Sequence, residues 1–461
     1  MIGKKEHFVI WSMGLYFGWI LSFPYFGPVL KAVSTSSGVD SNSLAIVFLI
    51  FHALGFFCGA IFLKDTRRWK DLMLFSLLIV LLLSIVKLFI SPLLWMPLMA
   101  LIGFFSPFYI LGWSCLIAAY PSHQKPRLLL TSIIIANLIM ILLSYLSFTL
   151  NLQALLMVKI IPLIAALFIL FFCSLPATAA IERRFEPGHP PTTLYILVMV
   201  AFITLLNFTL GLAYTVAYES HAIMKDNNFV LQYYRHLPYI LTYVIILTFK
   251  LKIDKKIITY YAISLTGLGL ILLIVLGDSL VGFYLTISLI QVGQALFPLF
   301  VWILIGDLST RYAASFRFFG YGLFAILLGS FLGGFYGDYL QTYSDSPLVF
   351  TALASIAALF AALLVTPRLV EKSVTEPLVD DKLVANDQEF LNLFYSAAGL
   401  TPREIEVVEL LMQGSDNQTM ANTLGVSSNT LKTHLRHVYR KYGVNKRSEL
   451  LALITTKKLP S

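Results

Sequence analysis

The chain has 461 residues, 58% of them hydrophobic and only 12% charged, with a net charge of +9. Soluble chains carry about 25% charged residues, so a soluble enzyme, a secreted protein and a disordered chain are all excluded. The charges are also unevenly divided: residues 1–366 hold 21 Lys/Arg and 13 Asp/Glu, whereas residues 367–461 hold 12 and 11. A long membrane part followed by a short soluble part is the expected organisation, with the lipid bilayer as first partner.

A hydrocarbon core of about 30 Å needs about 20 apolar residues per helix. Twelve runs are read this way: 8–30, 42–63, 71–90, 93–119, 128–149, 154–175, 194–218, 237–250, 257–277, 280–306, 317–339 and 347–366. The eighth is the shortest and is expected to start earlier, near Val230, with Arg235 and His236 at its outer end. In lipid every backbone polar group must be satisfied internally, so each run is predicted to be a helix. Lys and Arg favour cytoplasmic connections. With the N-terminus inside, the inner connections hold 16 of these residues and the outer ones 4, namely Lys31, Lys87, Lys225 and Arg235. Both termini are therefore predicted in the cytoplasm. Ala32-Val33-Ser34 offers a faint cleavage signal, but the run before it is too long for a signal-peptide core.

Six runs precede, and six follow, a connection from Pro176 to Thr193 that carries Pro187, Pro190 and Pro191. Between runs two and three stand Gly59, Asp65, Arg67, Arg68 and Lys70. This six-plus-six layout, with those residues in the first inner connection, resembles the major facilitator superfamily of transporters. The family's motif departs here: the Gly-to-Asp spacing is long, a second Gly is missing, and Leu128 to Phe148 lacks the glycines of the antiporter motif. The resemblance implies a twelve-helix domain over residues 1–366, with runs 1, 4, 7 and 10 around a central cavity.

Proton-coupled transporters generally need a buried carboxylate, and none lies near the middle of any run. Glu219, Asp307 and Asp338 all fall at ends. The mid-depth polar groups are His52, Asn137, Asn207, Gln291 and Gln294, with Lys159 nearer the outer end of run 6. Interhelical hydrogen bonding is the ordinary use of such amides, a satisfied core position that of His52, and snorkelling that of Lys159. Tyr16 and Trp19 share one face of run 1, Tyr109 and Trp113 one face of run 4, and Asn207 and Tyr214 one face of run 7. With the cavity the resemblance implies, the candidate ligand set is Trp19, His52, Tyr109, Trp113, Lys159, Asn207, Tyr214, Gln291 and Gln294. It suits a small hydrophobic or aromatic molecule, uncharged or weakly anionic. Gly329, Gly333 and Gly337 form a close-packing stripe. Cys58, Cys115 and Cys173 are isolated in apolar runs, and no metal, cofactor or nucleophile–base constellation is present, so no enzyme is expected.

Residues 367–399 are expected to be a cytoplasmic linker of net charge −3, ending in a short amphipathic stretch, Phe390 to Phe394. From Leu400 the pattern sharpens. Thr401 caps a helix, Pro402 takes its first position and Glu404 closes a capping box. Ile405, Val408, Leu411 and Met412 make its apolar stripe, and Gly414 stops it. Asn417 caps a second helix that ends at Gly425, Ser427 caps a third running to about Tyr442, and a fourth starts near Ser448. Two short helices about a Gly-containing turn are a helix-turn-helix. Between Ser427 and Arg447 stand Lys432, Arg436, Arg440, Lys441, Lys446 and Arg447, with no acid, as phosphate binding requires.

Leu400-Thr401-Pro402-Arg403-Glu404, Asn417 to Gly425, Val426 to His434 and Lys441-Tyr442-Gly443-Val444 together resemble the LuxR-type helix-turn-helix without a gap. The resemblance implies double-stranded DNA as partner, recognition by Ser428, Asn429, Thr430, Lys432, Thr433, Arg436 and Arg440, a homodimer on DNA, and contact with RNA polymerase. The chain is thus expected to be all-α: a twelve-helix membrane bundle joined to a four-helix LuxR-type domain at 400–461. Its expected role is a membrane-bound one-component transcription regulator sensing a small molecule. A major-facilitator-type transporter with a regulatory DNA-binding tail is the alternative.

Overall fold

The structure is a computed structural model. It describes residues 4–450 except 26, 65–67, 119, 121–123, 173–192, 220–233, 235, 252–253, 278, 313–314, 375–394, 396–397, 413–416, 445 and 448. The chain divides into two compact units, Met1–Thr375 and Glu376–Ser461.

Among the described residues, the first unit is built from helices joined by short turns. Its helices are α1 (Lys4–Ser22), α2 (Pro28–Ser37), α3 (Ser41–Phe62), α4 (Trp69–Val86), α5 (Trp95–Ala118), α6 (Lys125–Thr149), α7 (Leu152–Val158), α8 (Ile161–Phe172), α9 (Thr193–Ala213), α10 (His236–Thr248), α11 (Lys255–Leu276), α12 (Leu280–Arg311), α13 (Ser315–Tyr343) and α14 (Pro347–Val374). Among the described residues, ten segments are long and apolar enough to cross a membrane; α7 and α8 count as one of them. The other two apolar runs of the sequence are also helical, as α1 and the shorter α10. The upstream extension expected for α10, 230–233 with Arg235, lies outside the described residues.

Two expected runs are corrected. The run 8–30 is broken, because α1 stops at Ser22 and α2 starts at Pro28 with Gly27 as its cap. Pro24 and Pro28 lack the N–H that a continuous helix would need. The run 154–175 breaks at Lys159 and Ile160, between α7 and α8, just before Pro162. The last apolar run agrees with the span Pro347–Val365, and its helix α14 continues beyond it through Pro367 to Val374.

Small residues set the closest approach in the second half. A Cβ on Gly333 would lie 2.0 Å from Phe208 O, and one on Gly329 2.4 Å from Thr204 O. The glycine stripe is therefore the seam of α13 against α9.

The second unit is built from α15 (Pro402–Met412), α16 (Asn417–Leu424) and α17 (Ser428–Tyr442). Val407, Val408, Leu411, Met420, Ala421, Leu431, Leu435, Val438 and Leu450 form its own buried core. The capping box forms as expected: Thr401 N donates to Glu404 Oε2 at 2.8 Å, and Glu404 N reaches Thr401 Oγ1 at 3.4 Å. The α16–α17 turn holds Gly425 at φ +64°, a left-handed conformation that glycine adopts without penalty. Ser427 caps α17 by accepting from Thr430 N at 3.1 Å. Of the expected fourth helix, Arg447, Glu449 and Leu450 are helical, and the rest lies outside the described residues.

Candidate functional site

α17 is two-faced. Leu431, Leu435 and Val438 recur at helical spacing and are buried in the core of the second unit. Ser428, Asn429, Thr430, Lys432, Thr433, Arg436 and Arg440 are all exposed on the remaining surface. A helix docked by one stripe, with polar and basic residues facing out from its N-terminal end, has the form that enters a DNA major groove. Two basic residues have other work. Lys441 Nζ donates to the buried Glu404 Oε2 at 2.6 Å and to Gly399 O at 2.8 Å. Arg447 donates to Leu411 O at 3.0 Å. The cationic surface is therefore narrower than the count of six implies, and it centres on Lys432, Arg436 and Arg440.

In the membrane unit the expected ligand residues sit in a packed interior. Tyr16 stacks on Tyr109 with ring centroids 4.0 Å apart. Tyr109 donates to Ser12 O at 3.0 Å, and Trp113 Nε1 to Val9 O at 2.9 Å. Trp113 also meets Trp302 edge-on at 5.9 Å, and Phe17 meets Trp302 at 5.8 Å. These contacts bring α1, α5 and α12 together, which are runs 1, 4 and 10 of the sequence. Trp19 is fully buried on α1. Gln291 and Gln294 are buried on α12. Asn207 is buried on α9 and donates to its own helix at Ile203 O, 2.9 Å away. Tyr214 is half-buried where α9 passes into a π-helical turn, Tyr214–Glu219. His52 shares a hydrogen bond with Ser106 Oγ at 2.6 Å and stacks on Phe48, so its polar edge is satisfied within the core. Lys159 does not snorkel: it is 0% exposed and stands over the ring of Phe23.

A cavity of about 350 Å³ lies elsewhere, between α3 and α13. It is lined by Leu49, Ile50, Ala53, Leu54, Phe57, Phe324, Leu327, Leu328 and Phe331. All are apolar, and none belongs to the expected ligand set.

One buried charge cluster escaped sequence reasoning. Asp307, near the end of α12, accepts from Lys125 at 3.3 Å and from Lys255 at 2.5 Å. Lys125 Nζ also donates to Gly306 O at 3.1 Å and Thr310 Oγ1 at 2.8 Å, and Thr310 Oγ1 donates to Ala118 O at 2.9 Å. The cluster ties α5 and α6 of the first half to α11 and α12 of the second. Such pairing of distant residues leaves no local mark in a sequence. The partly matched transporter motif is described only at Gly59, Arg68 and Lys70, since 65–67 lie outside the described residues.

Residues 398–454 match the family described as bacterial regulatory proteins, luxR family. Over 54 residues the chain is 44% identical to a putative HTH-type transcriptional regulator of Aeromonas salmonicida, which covers 12% of this chain and 28% of that protein. Over 69 residues it is 39% identical to the HTH-type transcriptional regulator MalT of Yersinia pestis (strain Pestoides F), covering 15% of this chain and 7% of that one. The chain thus spans well under a third of either relative. In fold it is similar to the human organic anion transporter MFSD10 (TETRAN), with a TM-score of 0.59 at 15% identity over 78% of this chain and 99% of that one. It is likewise similar to the major facilitator superfamily proton:xylose symporter XylE, with a TM-score of 0.62 at 13% identity over 78% and 94%. The C-terminal segment is a LuxR-type helix-turn-helix, and the membrane-spanning part has a major-facilitator-like fold.

Proposed function

We propose that the chain is a membrane-bound one-component transcription regulator. Its bundle, read as twelve spanning helices with both termini in the cytoplasm of a bacterial inner membrane, binds a small hydrophobic or aromatic molecule. Its LuxR-type domain binds double-stranded DNA as a homodimer and engages RNA polymerase. The observation that carries this reading is the joining, in one chain, of a major-facilitator-like fold to a recognition helix whose outward face is polar and basic.

A ligand controls DNA binding only if it prefers one arrangement of the bundle. The Asp307 cluster supplies a suitable two-state element, because it holds the two halves together at one end and is costly to leave half-paired. On this reading the residues that meet the ligand are Trp19, His52, Tyr109, Trp113, Lys159, Asn207, Tyr214, Gln291 and Gln294.

The transporter alternative is favoured by the same cluster, since a closure between halves serves alternating access equally well. Two measurements separate the readings. Full-length chain in lipid nanodiscs is titrated against DNA selected with the isolated second unit, and uptake of the same small molecules is followed in proteoliposomes. Ligand-dependent DNA affinity without uptake supports the regulator, whereas uptake with ligand-independent DNA affinity supports the transporter.

A further inference from the structure

Lys87 and Lys159 are 1% and 0% exposed. Lys87 follows the last turn of α4, and Lys159 occupies the break between α7 and α8. Phe23, in the turn after α1, receives both. Lys159 Nζ stands 3.7 Å from the Phe23 ring centroid, and Lys87 Nζ stands 4.6 Å from it and 4.3 Å from the ring of Trp95. Two lysine side chains thus share one aromatic ring, buried in the first half-bundle.

Among the described residues, neither lysine meets a carboxylate. Lys87 Nζ reaches the thioether of Met99 at 3.7 Å, a weak acceptor, and Lys159 Nζ has no hydrogen-bond partner. The indole N–H groups of Trp95 and of Trp19, one turn before Phe23, are also buried without a partner, as is Ser84 Oγ one turn before Lys87. Lysine and indole nitrogens only donate. Cation–π contact returns a fraction of what desolvating an ammonium costs, and the two like charges repel. Two buried lysines and the Trp95 indole N–H, gathered on the Phe23 and Trp95 rings with no carboxylate among the described residues, are matched by an anionic acceptor.

We propose that Lys87 and Lys159, with Phe23 and Trp95, form a site for the anionic group of a small amphipathic molecule, such as a carboxylate whose apolar or aromatic body lies on those rings. This deepens the sensing reading and rests on it for its meaning in transcription. The anionic group belongs either to a free small molecule or to a lipid headgroup, and the test has an arm for each.

Full-length chain in phosphatidylcholine nanodiscs is titrated with sodium benzoate, followed by tryptophan fluorescence and by thermal unfolding midpoint. The response should saturate with benzoate and be absent with benzyl alcohol, which keeps the ring and loses the charge. Lys87→Gln and Lys159→Gln should each weaken the benzoate response by at least about tenfold. Lys159→Met keeps the volume and removes the buried charge, so it should fold with an unchanged or higher midpoint and lose the response. A midpoint raised only by phosphatidylglycerol, and only while both lysines are present, assigns the anionic group to a lipid and supports the site. Equal effects of benzoate and benzyl alcohol, retention of the benzoate response in both glutamine variants, or no response to benzoate and phosphatidylglycerol alike would overturn it. A lysine-dependent response that leaves DNA binding unchanged keeps the anion site and removes sensing.

Discussion

Glu404 shows how far a local signal reaches at the scale of one residue. Its place three after Thr401 marks a capping box, and that hydrogen bonding forms. Nothing local indicates Lys441, 37 residues on, which anchors the same carboxylate. Burial pushes the Glu404 carboxyl upward, but hydrogen bonds from Lys441 and Thr401 outweigh it and hold the group below the ordinary carboxylate range. A carboxyl lowered in the fold stabilises the fold above its unfolded value, about pH 4.3, and ceases to do so as pH falls through the lowered one. Glu404→Gln in the isolated second unit should therefore lower the melting midpoint at pH 7 by several degrees, for a loss of about 1–3 kcal/mol. Circular dichroism melts between pH 7 and pH 3 check this, and the gap between the two proteins should narrow on the acid side. Lys432 belongs to the other face. Lys432→Ala should weaken DNA binding and reduce the slope of log affinity against log salt by about one, as loss of one phosphate contact requires. Equal affinity and slope by fluorescence anisotropy would mean that another face of the unit meets DNA.

Among elements, long apolar helices were legible because bilayer thickness imposes their length, and α17 was legible because buried and exposed residues alternate at helical spacing. The breaks at Ser22–Pro28 and at Lys159–Ile160 were hidden, because hydropathy averages over a proline. The Lys87–Lys159–Phe23 grouping was hidden too, since its three members come from separate helices and turns. The α9–α13 seam makes a firm element-scale prediction. Gly333→Leu should drastically lower membrane abundance, because even a Cβ there would press within 2.0 Å of Phe208 O and 2.8 Å of Leu212 N, both backbone. Gly267→Ala, where a Cβ meets nothing within 4 Å, should leave abundance unchanged. Immunoblots of membrane fractions compare the two. Orientation is the other element-scale expectation. Reporter fusions after Gly277 and Ser344 should score as external, and those after Lys64 and Lys250 as cytoplasmic, following the bias of positive connections. The opposite pattern at two of these sites would reverse the assignment of ends.

For the whole molecule, the division into an apolar part and a charged part could be read from composition and the DNA-binding motif from the spacing after Leu400, but the proposed coupling between the two could not. The aromatic core of α1, α5 and α12 and the Asp307 cluster are assembled from positions up to about three hundred residues apart. Only tertiary structure brings Lys125 and Lys255 to one carboxylate. Breaking a buried pair costs about 3–5 kcal/mol, which is enough to change which arrangement of a two-state bundle predominates. The most direct test is occupancy of target promoters by the full-length chain in cells, comparing Asp307→Asn with the unaltered protein at matched membrane abundance. If the bundle governs the helix-turn-helix, occupancy should change at least about fivefold, the lower end of ordinary allosteric coupling. Occupancy unchanged by Asp307→Asn would contradict control of DNA binding by the bundle and leave it as an anchor.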